Sequence, residues 1–529
     1  MNDSGRWWKE GVLYQIYPRS FADSNGDGVG DLSGIIDRLE YLEWLGIDGI
    51  WLNPIMSSPN DDWGYDVSDY TSVHPELGTL DDVDRLIAES GRRGIRVLLD
   101  FVPNHTSTQH PWFMDATSGR NAKHRDWYVW ADPKADGSPP NNWLSFFEGS
   151  AWEFDESSGQ YYLHNFLSTQ ADLNWWNEEV RDAMDDVLRF WYDRGVAGFR
   201  IDVAHAVIKD KELRDNLAAT PDDDRRMRRL GQRPTYNMDR PEVHDVIRRW
   251  RKLGDSYDPP RVLVGETFLF DLARVAAYYG KGDELHLAFN FPFVFASFEA
   301  RPMKEVVELT ENLLPPIAWP VWTGSNHDVL RFPSRWCRGD PRKARVALML
   351  LLTLRGTPFL YYGDEIGMLS TELRREDVKD PVGKRPWSED IGRDPGRTPM
   401  HWSAEGGAGF TAPEVSPWLP LGDYRSTNVA DQRDDPSSIL SLTRALIRLR
   451  RASADLRSGG YDLLESAPSV WRFRRGAGTE IVLNFSADHV DVDGPAGVVR
   501  LTTSVGEEQS VVRGRLPLGP WEGAVVEAR

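Results

Sequence analysis

Residues 85–105 read RLIAESGRRGIRVLLDFVPNH: an amphipathic helical stretch, a glycine, a short apolar strand, and polar residues where the strand stops. The hydrophobic period changes from helical to that of a buried strand at the glycine, the residue best suited to end a helix and turn the chain. The same unit recurs on both sides. LEYLEWLGIDGIWLNP (39–54) precedes it and VLRFWYDRGVAGFRID (187–202) follows. Weaker copies, IRRWRKLGDSYDPPRVLVGE (247–266) and VALMLLLTLRGTPFLYYGDE (346–365), keep the order, and WPVWTGSNHD (319–328) supplies a strand between them. Helix and strand alternating over this length imply a parallel sheet, either doubly wound or closed into a barrel.

The polar residues decide between the two. Asn104, His105, Asp202, Glu266 and Asp328 fall at or just past the C-terminal ends of different strands, the rim on which a (β/α)8 barrel builds its site from βα loops. No G-x-G-x-x-G follows the first strand, so a dinucleotide fold has no anchor. The expected fold is α/β: a (β/α)8 TIM barrel with an inserted subdomain after strand 3 and a C-terminal antiparallel β domain. The barrel is expected over 1–103 and 177–455. Residues 104–176, rich in Trp, Asn and Pro, are far longer than the ~2–6 residues of an ordinary βα loop and form the subdomain. A second polar insertion spans about 363–435. From 456 to 529, short alternating runs such as EIVLNF (480–485) and GVVRLTT (497–503) read as an antiparallel β domain. The charged stretch 215–240 reads as a flexible loop on the acceptor side.

Composition limits the partners. The chain has 529 residues, 40% hydrophobic, with 62 Lys+Arg against 82 Asp+Glu for a net charge of -20. That balance disfavours nucleic acid and anionic membranes, which select for clustered cations, and points to a small neutral partner. The single cysteine, Cys337, cannot form an internal disulfide. No signal-like N-terminus and no run of ~18 apolar residues is present, so a cytoplasmic protein without a membrane span is expected. Monomer and homodimer both remain open.

Three carboxylates, Asp202, Glu266 and Asp328, each end a strand region. One alone is most simply a helix cap or an ion-pair partner. Three together, with His105 and His327, suit glycoside hydrolysis, in which one carboxylate attacks or stabilises an oxocarbenium-like sugar while another donates a proton. Arg200, two residues before Asp202, points to the same side of the strand and is expected to hold Asp202 ionised, while Glu266 has no cation so close in sequence. Asp23, Asn25, Asp27 and Asp31 place oxygen side chains along DSNGDGVGD (23–31), with the Val29 carbonyl among them. That spacing suits a hard cation, calcium or magnesium, and also a metal-free cluster of Asx turns.

FVPNH (101–105), GFRIDVAH (198–205), VGET (264–267) and SNHD (325–328), in that order, resemble the four signature regions of the alpha-amylase family of glycoside hydrolases. QIYPRSFADSNGDGVGDLSGI (15–35), DDWGYDVSDY (61–70), GSAWEFD (149–155) and RTPMHW (397–402) resemble its alpha-glucosidase and oligo-1,6-glucosidase branch. The resemblance implies Asp202 as nucleophile, Glu266 as general acid/base and Asp328 as the carboxylate gripping ring hydroxyls, with retention of configuration and the first two carboxyls ~5–5.5 Å apart. It further implies His105 and His327 as sugar-binding imidazoles, Tyr65 as the platform beneath the ring, and Phe147 and Phe166 as pocket walls. Asp62 and Arg397 match a pair that closes the pocket behind the terminal sugar, and the family often binds calcium or magnesium in the 23–31 loop.

Val203, directly after the nucleophile, matches a position where Val accompanies 1,6-linked substrates, whereas QADLN (170–174) lacks the Pro usual at its second position in oligo-1,6-glucosidases. The function implied is an exo-acting, retaining alpha-glucosidase on short oligosaccharides, with transglucosylation where a sugar replaces water. The alternatives are an oligo-1,6-glucosidase, or a sucrose or maltose isomerase or glucosyltransferase of the same family. A non-catalytic scaffold of the transporter heavy-chain type is disfavoured by the three carboxylates. Of the 22 tryptophans, only Trp63 is expected to touch sugar.

Overall fold

The computed structural model describes residues 6–385, 391–504 and 510–528. Eight parallel strands form its centre: β1 (Leu13–Ile16), β2 (Gly49–Leu52), β3 (Arg96–Phe101), β4 (Gly198–Ile201), β5 (Val262–Gly265), β6 (Leu287–Ala288), β7 (Val321–Thr323) and β8 (Thr357–Tyr361). Consecutive strands pair from β1 to β6 and from β7 to β8, and β1 pairs with β8, so the barrel is closed by ladders everywhere except between β6 and β7. Registration places Asp100 of β3, Arg200 of β4 and Val264 of β5 on one rung. Two residues long, β6 is too short for any periodic signal, and the sequence gives no hint of it.

Helices α1 (Leu39–Leu45), α2 (Leu80–Arg92), α3 (Glu178–Asp193), α4 (Val243–Asp255), α5 (Leu272–Ala277), α6 (Ala300–Leu313), α7 (Pro341–Thr353) and α8 (Ile439–Ala452) follow the strands in turn. Their starts are written in the sequence. Thr79 and Asp82 form a reciprocal capping box on α2, Asn177 caps α3, and Asp340 followed by Pro341 opens α7. Gly46, at φ 98°, ends α1 in the left-handed region, as the repeated helix–glycine–strand unit requires. The apolar run of α7 is buried between the barrel and the C-terminal sheet, and no helix among the described residues is long and apolar enough to cross a membrane.

The insertion after β3 is rooted by a two-stranded ribbon in which His105–Ser107 pairs antiparallel with Gln170–Asp172. A three-stranded antiparallel sheet (Trp130–Ala131, Gln160–Leu163, Trp152–Asp155) and a buried cluster around Trp143, Trp152 and Leu163 form its body. Lys209 pins it to the barrel: its ammonium donates to Asp172 Oδ2 at 2.8 Å and to Asn104 Oδ1 at 2.7 Å, all three residues buried.

The segment 215–240 is not an open loop. Leu217–Ala218 pairs antiparallel with Gln232–Arg233 around the helix Arg225–Leu230, and Asn216 ties the base by bonding Asn237 and the backbone of Tyr236. The second insertion carries short 3-10 turns, Asp364–Ile366 and Asp394–Gly396 among them; its residues 386–390 lie outside the described residues. At the C-terminus, six strands from Tyr461–Leu464 to Gly523–Glu527 form an antiparallel sheet.

Candidate active site

Arg200 organises the C-terminal rim of the barrel. One Nη donates to Asp100 Oδ1 at 2.7 Å and to Asp202 Oδ1 at 2.8 Å; the other donates to Glu266 Oε2 at 2.7 Å. A planar guanidinium offers two such edges at once, which an ammonium cannot. Glu266, which has no cation so close in sequence, shares the arginine of Asp202, because strand pairing across β4 and β5 brings it to the second edge of Arg200.

The expected electrostatics change as well. Burial pushes Asp202 well above the usual carboxylate range despite Arg200, and Glu266, Asp100 and Asp328 add to the rise. Burial likewise raises Asp100 to about 6 against the opposing pull of Arg200. Three buried carboxylates on one cation cannot all stay ionised cheaply, so the cluster retains a proton. Glu266 accepts from Arg200 and from the Val203 N–H on the same oxygen, Oε2, so both bonds fix the carboxyl plane through one oxygen and leave Oε1 outside them. Val203 itself sits at φ 35°, a costly conformation for a β-branched residue, held by that hydrogen bond.

Tyr65 stands beside this cluster. Its hydroxyl donates to Asp100 Oδ2 at 2.9 Å and accepts from Asn53 Nδ2 at 2.8 Å, and its ring stacks on His327 with centroids 5.3 Å apart and planes at 4°. Gln15 Nε2 lies 2.9 Å from His327 Nδ1, which makes that nitrogen the acceptor and leaves Nε2–H to face Tyr65 and Asp328. Burial holds His327 well below its ordinary pKa, and His105 is pushed down to about 4 for the same reason, so both rings are neutral donors at pH 7. Burial also opposes ionisation of Asp328, but His327, Arg393 and Arg397 outweigh it and hold its carboxyl below the usual range.

The pair that closes the far end is not the expected one. Asp62 Oδ1 accepts from Arg393 at 2.6 Å, and Arg393 also binds Asp328 at 3.2 Å and Asp380 at 2.8 Å. Arg397 instead donates to the His327 carbonyl at 2.7 Å and to Asp328 at 3.2 Å. The two arginines flank the 3-10 turn Asp394–Gly396 as its N-cap and C-cap, so their side chains project differently from an irregular insertion in which no sequence periodicity separates them.

The cavity enclosed by these groups has a volume of about 230 Å³ and is lined by Asp62, Tyr65, His105, Phe147, Phe166, Asp202, Val203, Glu266, Asp328 and Arg393, with Phe146, His205, Ala206, Met238, Phe268, Phe295 and Val329 completing the wall. Arg200, His327 and Arg397, expected to bind substrate, are absent from the lining and lie one layer behind it, at 2%, 1% and 1% exposure. Their role in this geometry is to hold Asp202, Glu266, Tyr65 and Asp328. Trp63 is not on the wall either: at φ 51° it turns away to pack on Trp418 and to donate to the Lys379 carbonyl.

Asp100, Gln15, Asn53, Gln170 and Arg393 are contributors that sequence reasoning did not single out. Asp100 has a legible signal, an acid inside the apolar run 97–102, and pairing places it on the same rung as Arg200. Gln170 bridges Asp62 and His105, at 3.2 and 3.1 Å, only because the root ribbon folds back.

None of Asp23, Asn25, Asp27, Val29 and Asp31 lines this cavity. Asp23, Asn25 and Asp27 each accept a backbone N–H two residues on, and Gly26 and Gly28 between them lie at φ 78° and 88°. Oxygen-ligand loops for hard cations have this alternating form, so these three side chains and the Val29 carbonyl fit such an ion. Asp31 does not: it caps the helix Leu32–Asp37 through Gly34 N–H at 2.7 Å and takes Ser24 on its other oxygen. No group of three or more His, Cys, Asp or Glu side chains among the described residues is placed to hold a metal.

A parallel barrel with buried carboxylates at the ends of β4 and β5 tied through one arginine, and a third beyond β7 held by two others, all facing a sugar-sized cavity, is the site of a glycoside hydrolase. The chain belongs to the alpha-amylase family: residues 15–459 match the model described as "Alpha amylase, catalytic domain". It is 43% identical to a probable alpha-glucosidase of Rhizobium meliloti (strain 1021), over 90% of this chain and 88% of that one. It is 38% identical to an oligo-1,6-glucosidase of Heyndrickxia coagulans, over 92% and 94%. Its structure superposes on a crystal structure of an alpha-glucosyl transfer enzyme with a TM-score of 0.92 at 41% identity, over 99% of each chain.

Proposed function

We propose that this protein is an exo-acting, retaining alpha-glucosidase that removes terminal, non-reducing alpha-linked glucose from short oligosaccharides. The observation that carries the proposal is the shared Arg200 fork, which holds Asp202 and Glu266 on one guanidinium beside a cavity of about 230 Å³ closed at its far end by Asp62 and Arg393. Asp202 attacks the anomeric carbon as Glu266 gives its proton to the departing oxygen, and a covalent glucosyl-enzyme forms with inversion. Glu266, now a carboxylate, takes a proton from water, whose oxygen displaces Asp202 with a second inversion. Asp328, held ionised by the arginines behind it, grips hydroxyls of the terminal ring, and Tyr65 supports the ring face. A sugar extending past the Asp62–Arg393 pair would bury its hydroxyls against an already satisfied ion pair, which favours exo action.

A second reading, that transfer competes with hydrolysis, draws support from the similar glucosyl transfer enzyme, because the same intermediate yields to a sugar as to water. Incubation with maltose, isomaltose, sucrose and maltotriose, with products resolved over time, separates the readings. The proposal expects glucose, released first as the alpha anomer, as the main product at low substrate concentration. Initial beta-glucose, internal cleavage or dominance of isomerised products overturns it.

The same proposal includes a structural calcium or magnesium ion on Asp23, Asn25, Asp27 and the Val29 carbonyl, where it neutralises two acidic side chains of the β1 loop. Treatment with a chelator is expected to lower the melting temperature reversibly; an unchanged value removes the ion from the account. A cytoplasmic setting fits a chain whose one thiol, Cys337, is buried and unpaired.

A further inference from the structure

We infer that the side of the active site facing the leaving group is built for an aromatic or alkyl aglycone rather than for a second sugar, an inference that rests on the proposed glucosidase reading. The wall of the catalytic cavity divides by chemistry. Asp62, His105, Asp328 and Arg393 gather at the closed end with Phe147 and Phe166 against them, whereas beyond Asp202 and Glu266 the wall is Val203, Ala206, Met238, Phe146, Phe268 and Phe295, with His205 among them.

The cavity also has a neighbour. A second space of about 390 Å³ adjoins it, sharing Phe146, Met238 and Phe268 as a common wall and adding Met227, Leu230 and Phe270. Met227 and Leu230 come from the short helix of the 217–233 hairpin, so that hairpin roofs the second chamber. Phe268 contacts Phe270 at 5.3 Å between centroids, so the two rings carry an aromatic wall from the catalytic cavity into the second chamber, with the buried Phe291 packed behind Phe268 at 4.4 Å.

A sugar placed on this surface would desolvate several hydroxyls against Phe, Met and Val side chains, each unpaired hydroxyl costing binding energy. An aryl or alkyl group loses nothing there and gains stacking and apolar burial. Four acids of the second chamber are already engaged, Asp223 with Arg233 at 2.7 Å, Asp239 with Arg274 and Tyr278, Asp271 with the backbone of Ala273, and Asp224 with the Met227 N–H, while a fifth, Asp222, is exposed to solvent. Their shared negative sign also disfavours a phosphorylated or carboxylated aglycone.

The consequence for transfer is specific. An aromatic alcohol seated on Phe268 and Phe270 presents its hydroxyl to the glucosyl-enzyme. Its oxygen bonds the anomeric carbon as the bond to Asp202 breaks, and Glu266 takes the hydroxyl proton, giving an alkyl or aryl alpha-glucoside and free enzyme.

Alpha-glucosyl fluoride tests this with a leaving group too small to need the chamber. The purified full chain is given the fluoride with no acceptor, with 4-methoxyphenol or benzyl alcohol, and with equal concentrations of glucose or maltose. Fluoride release reports the donor site, and the ratio of glucoside to free glucose reports the acceptor side. The inference expects capture by the aromatic alcohols at least ten times that by either sugar, with Phe270→Ser and Leu230→Asn each lowering that aromatic ratio at least fivefold. Fluoride release with equal or better capture by sugars, or aromatic capture untouched by both variants, overturns the inference alone. Absence of fluoride release overturns the glucosidase reading and the inference with it.

Discussion

Arg200 and Arg393 divide the charge of the site between them, each holding three carboxylates: Asp100, Asp202 and Glu266 on one, Asp62, Asp328 and Asp380 on the other. Truncating Arg393 leaves buried acids unpaired where the terminal sugar is gripped. Arg393→Ala is expected to lower kcat/KM on short alpha-glucosides by about 2–5 kcal/mol, or roughly one and a half to three and a half powers of ten, largely through KM. Steady-state kinetics on maltose and an aryl alpha-glucoside check this, and an unchanged KM would remove Arg393 from the pocket's closure. At this scale the three carboxylates were legible because each ends a strand region that contiguous sequence defines. The partner of Asp62 was not, since it depends on which of two arginines four apart in an irregular turn faces the cavity. Trp63 was misread for a similar reason: adjacency to Asp62 says nothing about a positive φ that turns the indole away.

Two links between elements carry the frame on which these residues stand. Lys209 ties the inserted subdomain to the barrel through Asp172 and Asn104. Lys209→Met keeps much of the side-chain volume but strands Asp172 as a buried charge, with an expected cost of ~3–5 kcal/mol. Denaturant unfolding measures it, and a loss below ~1 kcal/mol would contradict the role of this pair.

The second link joins the loop after β7, which bears His327 and Asp328, to the end of β8. Ser325 donates to Asp364 Oδ1 at 2.8 Å and the Tyr361 N–H donates to Oδ2 at 3.0 Å. Burial pushes Asp364 up to about 7, against the pull of Arg331. The folded carboxyl thus keeps a proton that the unfolded chain releases near its ordinary value, so its contribution to stability is full below about pH 4 and is lost as pH rises through 7. An amide has no such proton to lose, and it can present oxygen to Tyr361 N–H and nitrogen to Ser325. The melting temperature of Asp364→Asn relative to the unaltered protein is therefore expected to climb between pH 5 and 8. A constant difference would show that Asp364 does not titrate there.

At the scale of the whole molecule, alternation of helix, glycine and strand was enough to expect the barrel, because each unit buries its own stripe and hands the chain to the next. The short β6 and the folding of 215–240 into a hairpin escaped that reading. Both depend on pairing with distant backbone, and neither is long enough to show a period. The negative net charge and a cavity lined by carboxylates and aromatic rings agree on an uncharged ligand. The ribbon that roots the inserted subdomain bounds a site whose chemistry turns on one attack, by the Asp202 carboxyl oxygen that Arg200 does not take. A slow-turnover substrate, 5-fluoro-alpha-glucosyl fluoride, followed by proteolysis and mass spectrometry, tests that claim directly: the account predicts one covalent glucosyl label on the peptide at Asp202, and a label on Glu266, or none while the substrate is turned over, would contradict it.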